Sequence, residues 1–234
     1  MIEIKKVTKK YGEKIALKDV SFNVLDGEIF AFIGHNGAGK TTLIKAIAGI
    51  HDFDGGDILI NGKSIKTNPI GCKKEMAYIP DNPVLYENMK AIEFINFICD
   101  MYEVSLDVRE KNIKKYAEMF EIEGNLNAPI ESFSHGMKQK VAIIAALAHE
   151  PKILIMDEPF VGLDPKAVFD VKEVMNEMIK EGKIIFFSTH ILDVAEKLCS
   201  RVAIIKKGEL IKVGSMDEIK GDKSLEKVFL ELEK

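Results

Sequence analysis

A glycine-rich segment between an apolar strand and a helix decides the fold class of this chain. Residues 34–41 read Gly-His-Asn-Gly-Ala-Gly-Lys-Thr, after a strand-like run at residues 28–33 and before a helical stretch at residues 40–48. Glycines at this spacing let the backbone wrap closely around an anion, so that successive N–H groups and the helix N-terminus face phosphate. The pattern predicts a loop that holds the triphosphate of a nucleotide, in an α/β fold.

Two side chains at the end of this segment are expected to contact the phosphates and their metal ion. Lys40 is expected to reach the β- and γ-phosphates, and the Thr41 hydroxyl to ligate Mg²⁺. The alternative is a glycine turn that matches the pattern by chance, which the flanking strand and helix disfavour. The nucleotide-binding residues predicted from this loop are Gly34, His35, Asn36, Gly37, Ala38, Gly39, Lys40, Thr41 and Thr42.

A second apolar run, residues 153–156, ends in the two acidic residues Asp157 and Glu158. A strand that ends in this way places Asp157 beside a bound metal ion and lets Glu158 polarise an attacking water molecule. By itself such a run is more often an ordinary sheet edge, but downstream of a phosphate-binding loop the catalytic interpretation is favoured. Together, the two motifs predict a P-loop nucleoside triphosphatase.

The pattern along the chain predicts one domain of 234 residues with three parts. Residues 1–84 and 151–221 alternate between strands and helices, and they form the expected α/β nucleotide-binding core with an antiparallel β-subdomain. Residues 85–150 carry apolar side chains at helical spacing and form the expected inserted α-helical lobe, while residues 222–234 form a C-terminal helix. Hairpin turns are expected at residues 25–27 and 207–208.

Three further segments occur in a recognisable order around the acidic strand. Residues 132–139 read Ser-Phe-Ser-His-Gly-Met-Lys-Gln, residues 161–165 read Val-Gly-Leu-Asp-Pro, and residues 188–190 read Ser-Thr-His. With the phosphate-binding loop, this order resembles the ATP-binding subunits of ABC transporters over nearly the whole chain. The three segments look like the signature segment, the D-loop and the switch histidine of that family, whose core is a RecA-like P-loop fold.

The resemblance implies roles for two residues near the bound nucleotide. Tyr11 is expected to lie against adenine, and His190 to contact the γ-phosphate and sense hydrolysis. His190 thereby joins Lys40 and Glu158 as the third predicted catalytic residue. Each position also has a plain structural alternative, a half-buried strand residue for Tyr11 and a hydrogen-bonded histidine at a strand end for His190.

The resemblance also implies a partner subunit. Ser134, Gly136 and Asp164 are expected to lie at the ATP that is bound by the other subunit, which is a second copy of this chain or a homologous ATPase subunit. Such subunits pair head to tail around two ATP molecules and drive integral membrane permease subunits. Ser134 is also a good helix N-cap residue, and the two roles are compatible.

The chain departs from the family pattern at two places. His135 and Met137 stand where the usual signature Leu-Ser-Gly-Gly-Gln has glycine and glutamine, and backbone contacts tolerate both if neither needs a positive φ. Asp81 stands where the family usually has a glutamine, and it is predicted to ligate Mg²⁺ with Thr41 and Asp157. The Gly-Met-Lys-Gln segment most resembles ATPases paired with ABC-2-like permeases, including the Ecs-type exporters.

Charge and hydropathy limit the partners that this chain is expected to have. Its 33 Lys and Arg residues against 37 Asp and Glu residues argue against a dedicated nucleic-acid binder. It lacks both a signal-peptide pattern and an apolar run of about 20 residues, so any membrane spans are expected in another subunit. The resemblance to ABC transporter subunits then implies a peripheral protein on the cytoplasmic face of the cell membrane. The alternatives are a soluble ABC-type ATPase acting on ribosomes or DNA, and another P-loop enzyme such as a small-molecule kinase.

Overall fold

The computed structural model describes residues 1–233, which form two sheets and the helices packed around them. The strands are β1 Ile2–Tyr11, β2 Lys14–Val24, β3 Ile29–Ile33, β4 Gly55–Ile60, β5 Lys63–Ser64, β6 Met76–Ile79, β7 Ile153–Asp157, β8 Ile184–Thr189, β9 Arg201–Lys206 and β10 Glu209–Ser215. The helices are α1 Lys40–Ile47, α2 Pro69–Lys73, α3 Ala91–Met101, α4 Leu106–Met119, α5 His135–Ala148, α6 Pro165–Lys180, α7 Leu192–Leu198, α8 Met216–Lys220 and α9 Leu225–Glu233.

The larger sheet has six strands in the order β10-β9-β3-β8-β7-β6. Its strands pair in parallel except for β10, which forms the predicted hairpin with β9. Every residue of β3, β7 and β8 is buried, because helices or the second sheet cover both faces. Because β3, β7 and β8 are parallel, their carboxyl ends meet at one edge of the sheet. The predicted α/β class is confirmed.

The smaller sheet is antiparallel, with the order β2-β1-β4-β5, and it corrects one prediction. The turn at residues 25–27 does not form a hairpin, because β2 pairs with β1 and β3 lies in the other sheet. The burial of the two strands gives the reason. Exposed residues recur along β2, as in a strand that is covered on one face only. β3 is buried along its whole length and needs neighbours on both sides. Gly27 instead donates its N–H to the Gly182 carbonyl oxygen at 3.2 Å.

A cluster of stacked aromatic rings holds the two sheets together behind the glycine-rich loop. Phe22 of β2 lies on Phe30 and Phe32 of β3, with ring centroids 5.2 and 5.6 Å apart. Phe186 of β8 stacks on the same group. These four rings and α1 belong to one apolar core, so the position of β3 relative to β2 is set by close packing.

Helices α3, α4 and α5 occupy most of residues 91–148 and lie with the other apolar core, on the opposite face of the larger sheet. Two short 3-10 helices, Glu123–Asn125 and Ile130–Ser132, lead into α5.

The division of the chain at residues 84 and 150 stays a prediction. Lys234, the last residue of the predicted C-terminal helix, lies outside the described residues. Within residues 1–233, no helix has the length and apolar character to cross a bilayer.

Candidate functional site

The glycine-rich loop runs from the end of β3 to the first residue of α1, as the motif predicts. Gly37 has a φ of 80° and Gly39 a φ of 113°, values that L side chains rarely adopt. Gly39 also has no room for a side chain, since a Cβ there would lie 2.7 Å from the Ala16 carbonyl oxygen. The Ala38 N–H donates to the His35 carbonyl oxygen at 3.1 Å, which closes the loop on itself.

A cavity of about 410 Å³ opens in front of this loop. Its walls bring together the loop, the start of α1, the acidic end of β7 and the tip of the smaller sheet. The predicted site residues that line it are Tyr11, His35, Asn36, Gly37, Gly39, Lys40, Thr41, Thr42, Asp81, Asp157 and Glu158. Gly34 and Ala38 are buried behind the loop, so they shape the cavity without lining it.

Lys40 is the first residue of α1, and its side chain is only 6% exposed. Its Nζ donates to the Gly34 carbonyl oxygen at 2.7 Å and to the His35 carbonyl oxygen at 3.4 Å. Glu158 Oε1 lies 3.4 Å from the same nitrogen. The ammonium group is therefore held by the loop backbone and faces the carboxylate expected to activate water.

The acidic pair at the end of β7 occupies two different environments. Asp157 is 2% exposed and accepts a hydrogen bond from the hydroxyl of Ser188 on β8. Glu158 has a φ of 50°, a left-handed conformation that is costly for a residue with a side chain. Its backbone N–H donates to the Ser188 carbonyl oxygen at 3.2 Å. In this conformation Glu158 Oε1 lies 3.4 Å from Lys40 Nζ of the loop.

His190 does not line the cavity, but it contacts Glu158 directly. Its Nδ1 lies 3.0 Å from Glu158 Oε2, and its backbone N–H donates to the same oxygen at 3.3 Å. Lys40, Glu158 and His190 thus form one connected group at the carboxyl ends of β3, β7 and β8. The structure brings the three predicted catalytic residues together.

The charges of Asp81 and Asp157 both act on the phenol of Tyr78, whose hydroxyl oxygen is buried. Burial raises the pKa of Tyr78, and the negative charges of Asp157 and Asp81 raise it further. With the Thr41 hydroxyl, these carboxylates offer the hard oxygen ligands that Mg²⁺ prefers. Among residues 1–233, no group of three or more acidic, histidine or cysteine side chains is placed to hold a metal ion by itself.

Tyr11 lies at the rim of the cavity, where its side chain is about half exposed. Its hydroxyl hydrogen bonds with His51 Nε2 at 3.2 Å, and the two rings meet edge to face. Lys9 Nζ lies 5.2 Å from the centroid of the Tyr11 ring. The ring is therefore held from its hydroxyl end at the mouth of the cavity.

Ser134, Gly136 and Asp164 do not line this cavity; they form a second group elsewhere on the chain. Ser134 caps α5 by accepting from the Met137 N–H at 3.3 Å, and Asp164 caps α6 by accepting from the Ala167 N–H at 2.8 Å. Lys140 of α5 lies 3.0 Å from Asp164 Oδ2. The Ala167 N–H, followed by Lys140, lowers the pKa of Asp164.

The signature segment and the D-loop also meet through their backbones. A Cβ at Gly136 would lie 3.0 Å from the Gly162 carbonyl oxygen, and a Cβ at Gly162 would lie 2.6 Å from the His135 ring. The His135 imidazole therefore packs on the D-loop of its own chain. The two segments form one continuous patch with Ser134 and Asp164 at its helix caps.

The β9–β10 turn supports the loop from behind, and sequence reasoning missed this role. Gly208 donates its N–H to the Ala38 carbonyl oxygen at 2.9 Å, and Lys207 and Gly208 line the cavity beside Lys14, Ile15 and Ala16. A Cβ at Gly208 would lie 2.7 Å from the Ala16 carbonyl oxygen. The Lys-Gly pair indicates a hairpin turn, but no local signal connects it with a loop 170 residues earlier in the chain.

We expect the substitution Gly208→Ala to lower both stability and nucleotide affinity. The added methyl group meets a backbone oxygen, and overpacking of this kind typically costs about 1–3 kcal/mol. Gly182→Ala is the matched control, because Gly182 has a similar positive φ of 75° and open space around its Cβ position. Denaturant unfolding and calorimetric titration with ADP compare the two. Equal losses in both variants would show that the close approach to Ala16 contributes nothing.

Comparison with known proteins identifies the family. Residues 17–161 match the family described as ABC transporter. The ATP-binding protein EcsA of Bacillus subtilis, an ABC-type transporter protein, is 38% identical over 239 residues, with 100% of this chain and 97% of that protein covered. The chain belongs to the ATP-binding subunits of ABC transporters, and it is an ATPase of that family.

Solved structures agree with this assignment. A structure described as the ATP-binding subunit of an ABC transporter is 38% identical, covers 100% of both chains and superposes with a TM-score of 0.96. The ATP-binding cassette MJ0796, solved as a dimer in a post-hydrolysis state with ADP and phosphate, is 26% identical with a TM-score of 0.84 over 92% of this chain and 99% of that one. The predicted P-loop triphosphatase fold is thereby confirmed.

Proposed function

We propose that this chain hydrolyses ATP as one half of a head-to-tail dimer and drives export through separate permease subunits in the membrane. The separation of its two groups of site residues carries the proposal. Lys40 and Glu158 line the cavity and His190 contacts Glu158, while Ser134 and Asp164 lie on a different patch of the same chain. Two chains in opposite orientation would each complete the other's site. The dimeric state of MJ0796 supports this arrangement.

Hydrolysis in this proposal depends on three side chains and one metal ion. Lys40 binds the β- and γ-phosphates, Glu158 accepts a proton from the attacking water, and His190 orients Glu158 and contacts the γ-phosphate. Thr41, Asp157 and Asp81 would hold Mg²⁺, which would neutralise phosphate charge when bound. The left-handed backbone at Glu158 holds its carboxylate toward the position of the attacking water before the nucleotide binds.

The patch formed by the signature segment and the D-loop is proposed to contact the partner's ATP. Helix α5 begins at His135. Its N-terminus presents backbone N–H groups and the positive end of the helix dipole, both of which favour binding of a phosphate. The ion pair between Lys140 and Asp164 keeps α5 in register with the start of α6. Closure around ATP would then move both helices as one unit.

We expect the substitution Tyr11→Trp to convert the rim of the cavity into a fluorescent reporter of nucleotide binding. The chain contains no tryptophan, so the new indole is its only one. Stacking on adenine is expected to change the indole emission when ATP is added, with a concentration dependence that matches calorimetric binding. The same titration with inorganic triphosphate is the control. An emission that stays constant while ATP binds would remove Tyr11 from the adenine site.

Location on the cytoplasmic face of the membrane and export follow from the permease partnership. The Gly-Met-Lys-Gln segment resembles ATPases of ABC-2-like exporters, and EcsA is similar over the whole chain. The test is purification of the tagged chain from gently solubilised native membranes, with mass spectrometry of the proteins that accompany it. A polytopic membrane protein in stoichiometric amount supports the proposal. Recovery with ribosomes or another cytosolic complex would leave the ATPase and exclude the transporter role.

A further inference from the structure

The C-terminal helix reaches the phosphate-binding loop of the same chain. The ring of Phe229, in the middle of α9, lies against the imidazole of His35, the second residue of the loop, with centroids 4.9 Å apart and an interplanar angle of 66°. Phe229 is 5% exposed and belongs to the apolar core that includes Val202 and Ile204 of β9. His35 itself is exposed and lines the cavity, so the ring contact joins the edge of this core to the loop.

Phe229 is held on an anchored helix. The first N–H of α9, from Leu225, donates to Glu196 Oε2 of α7 at 2.8 Å, and Leu225 is fully buried. Near the other end, Lys206 Nζ of β9 donates to the Leu232 carbonyl oxygen at 3.0 Å. These contacts hold α9 near both ends, which keeps the Phe229 ring beside the loop.

His35 has a central place in the geometry of the loop. Its carbonyl oxygen accepts the Ala38 N–H that closes the loop, and it also accepts Lys40 Nζ. A ring contact that restrains the His35 side chain thereby restrains the carbonyl that shapes the loop and holds the lysine. Restraining a loop in its binding conformation raises affinity, because less ordering remains to be done when the ligand binds.

We propose that Phe229 is a positioning residue for the phosphate-binding loop and acts through His35. This inference rests on the proposed role of the loop in nucleotide binding. Phe229 contacts His35 but does not line the cavity. Its removal loosens the loop, so nucleotide affinity falls while the chemical groups of the site remain.

The experiment measures the dissociation constant for ADP with Mg²⁺ by calorimetric titration of the purified full chain. Aromatic pairs of this kind contribute enough for a three- to tenfold change in affinity. Phe229→Ala is therefore expected to bind ADP about three- to tenfold more weakly, and to raise the KM for ATP with little change in kcat. Phe229→Leu fills most of the same space and keeps α9 packed, and it is expected to show the same direction of change.

Leu230→Ala provides the matched control. Leu230 is the next residue of the same helix and is 55% exposed, so its truncation tests for a general effect of weakening α9. Its ADP affinity is expected to equal that of the wild type. Equal weakening in the Leu230 and Phe229 variants would overturn the proposal.

A double-mutant cycle with His35→Ala tests whether the two rings act as a unit. If Phe229 acts through His35, the double variant binds ADP within about twofold of the weaker single variant. Losses that multiply, or a Phe229→Leu variant with wild-type affinity, would contradict the proposal. A wild-type chain that binds no ADP, or a Lys40→Ala variant that binds it normally, would instead contradict the role of the loop itself.

Discussion

Replacing Glu158 with glutamine is expected to lower the rate of ATP hydrolysis about 10²–10⁴-fold, the range that positioned general bases contribute. The amide keeps the shape of the side chain and can still contact His190 Nδ1, which lies 3.0 Å from Glu158 Oε2. It cannot accept a proton from water. Binding of ATP is expected to remain, because Lys40 and the loop backbone are unchanged.

The Glu158→Gln substitution is also expected to change the assembly state of the protein in the presence of ATP. A variant that binds ATP without hydrolysing it is expected to accumulate as a dimer, which size-exclusion chromatography with and without ATP detects. Glu173→Gln on the exposed face of α6 makes the same chemical change away from the cavity and is expected to behave like the wild type. Wild-type turnover by Glu158→Gln would contradict its assignment as the base.

Replacing Lys40 with alanine is expected to weaken ATP binding about 10–100-fold and to abolish measurable turnover. The ammonium group forms charge-assisted hydrogen bonds, which contribute about 1.5–3 kcal/mol each. In this chain it also compensates Glu158, whose Oε1 lies 3.4 Å away. Its loss leaves that carboxylate beside the bound phosphates without the cation that separates the two negative charges.

Calorimetric titration with ATP and a phosphate-release assay measure these two effects. Lys45→Ala, in the last turn of the same helix, removes an equal charge from a residue that does not line the cavity. It is expected to retain both binding and turnover. Unchanged ATP affinity in Lys40→Ala would show that the phosphates bind elsewhere.

The sequence predicts the chemistry of this protein better than its long-range packing. The loop at residues 34–41 and the acids after β7 are local motifs whose spacing determines their geometry, and the structure brings Lys40, Glu158 and His190 together. Family resemblance adds Tyr11 and Asp81, which also line the cavity. Such features can be predicted from the sequence because each depends on a few adjacent residues.

Contacts between distant parts of the chain escaped prediction for a physical reason. The turn at residues 25–27 has the composition of a hairpin, but β3 is apolar on both faces and joins the buried sheet instead. Gly208 supports the loop through the hydrogen bond from its N–H to the Ala38 carbonyl oxygen, and Phe229 meets His35 through the packing of α9. Neither contact leaves a local pattern, since each depends on how the sheets and helices pack.

The order of strands in the larger sheet has a consequence for synthesis on the ribosome. Ile29 of β3 pairs with Ile185 of β8, and Phe30 pairs with Arg201 of β9, so the strand that leads into the phosphate loop is made long before its neighbours. Closing such long intervals of chain is slow, and until then the exposed β3 is a hazard for aggregation. A nascent or truncated chain that ends before Gly208 lacks the support of its phosphate loop. Chains that end before this turn are therefore expected to bind nucleotide more weakly, and to gain less stability from it, than chains that include the turn.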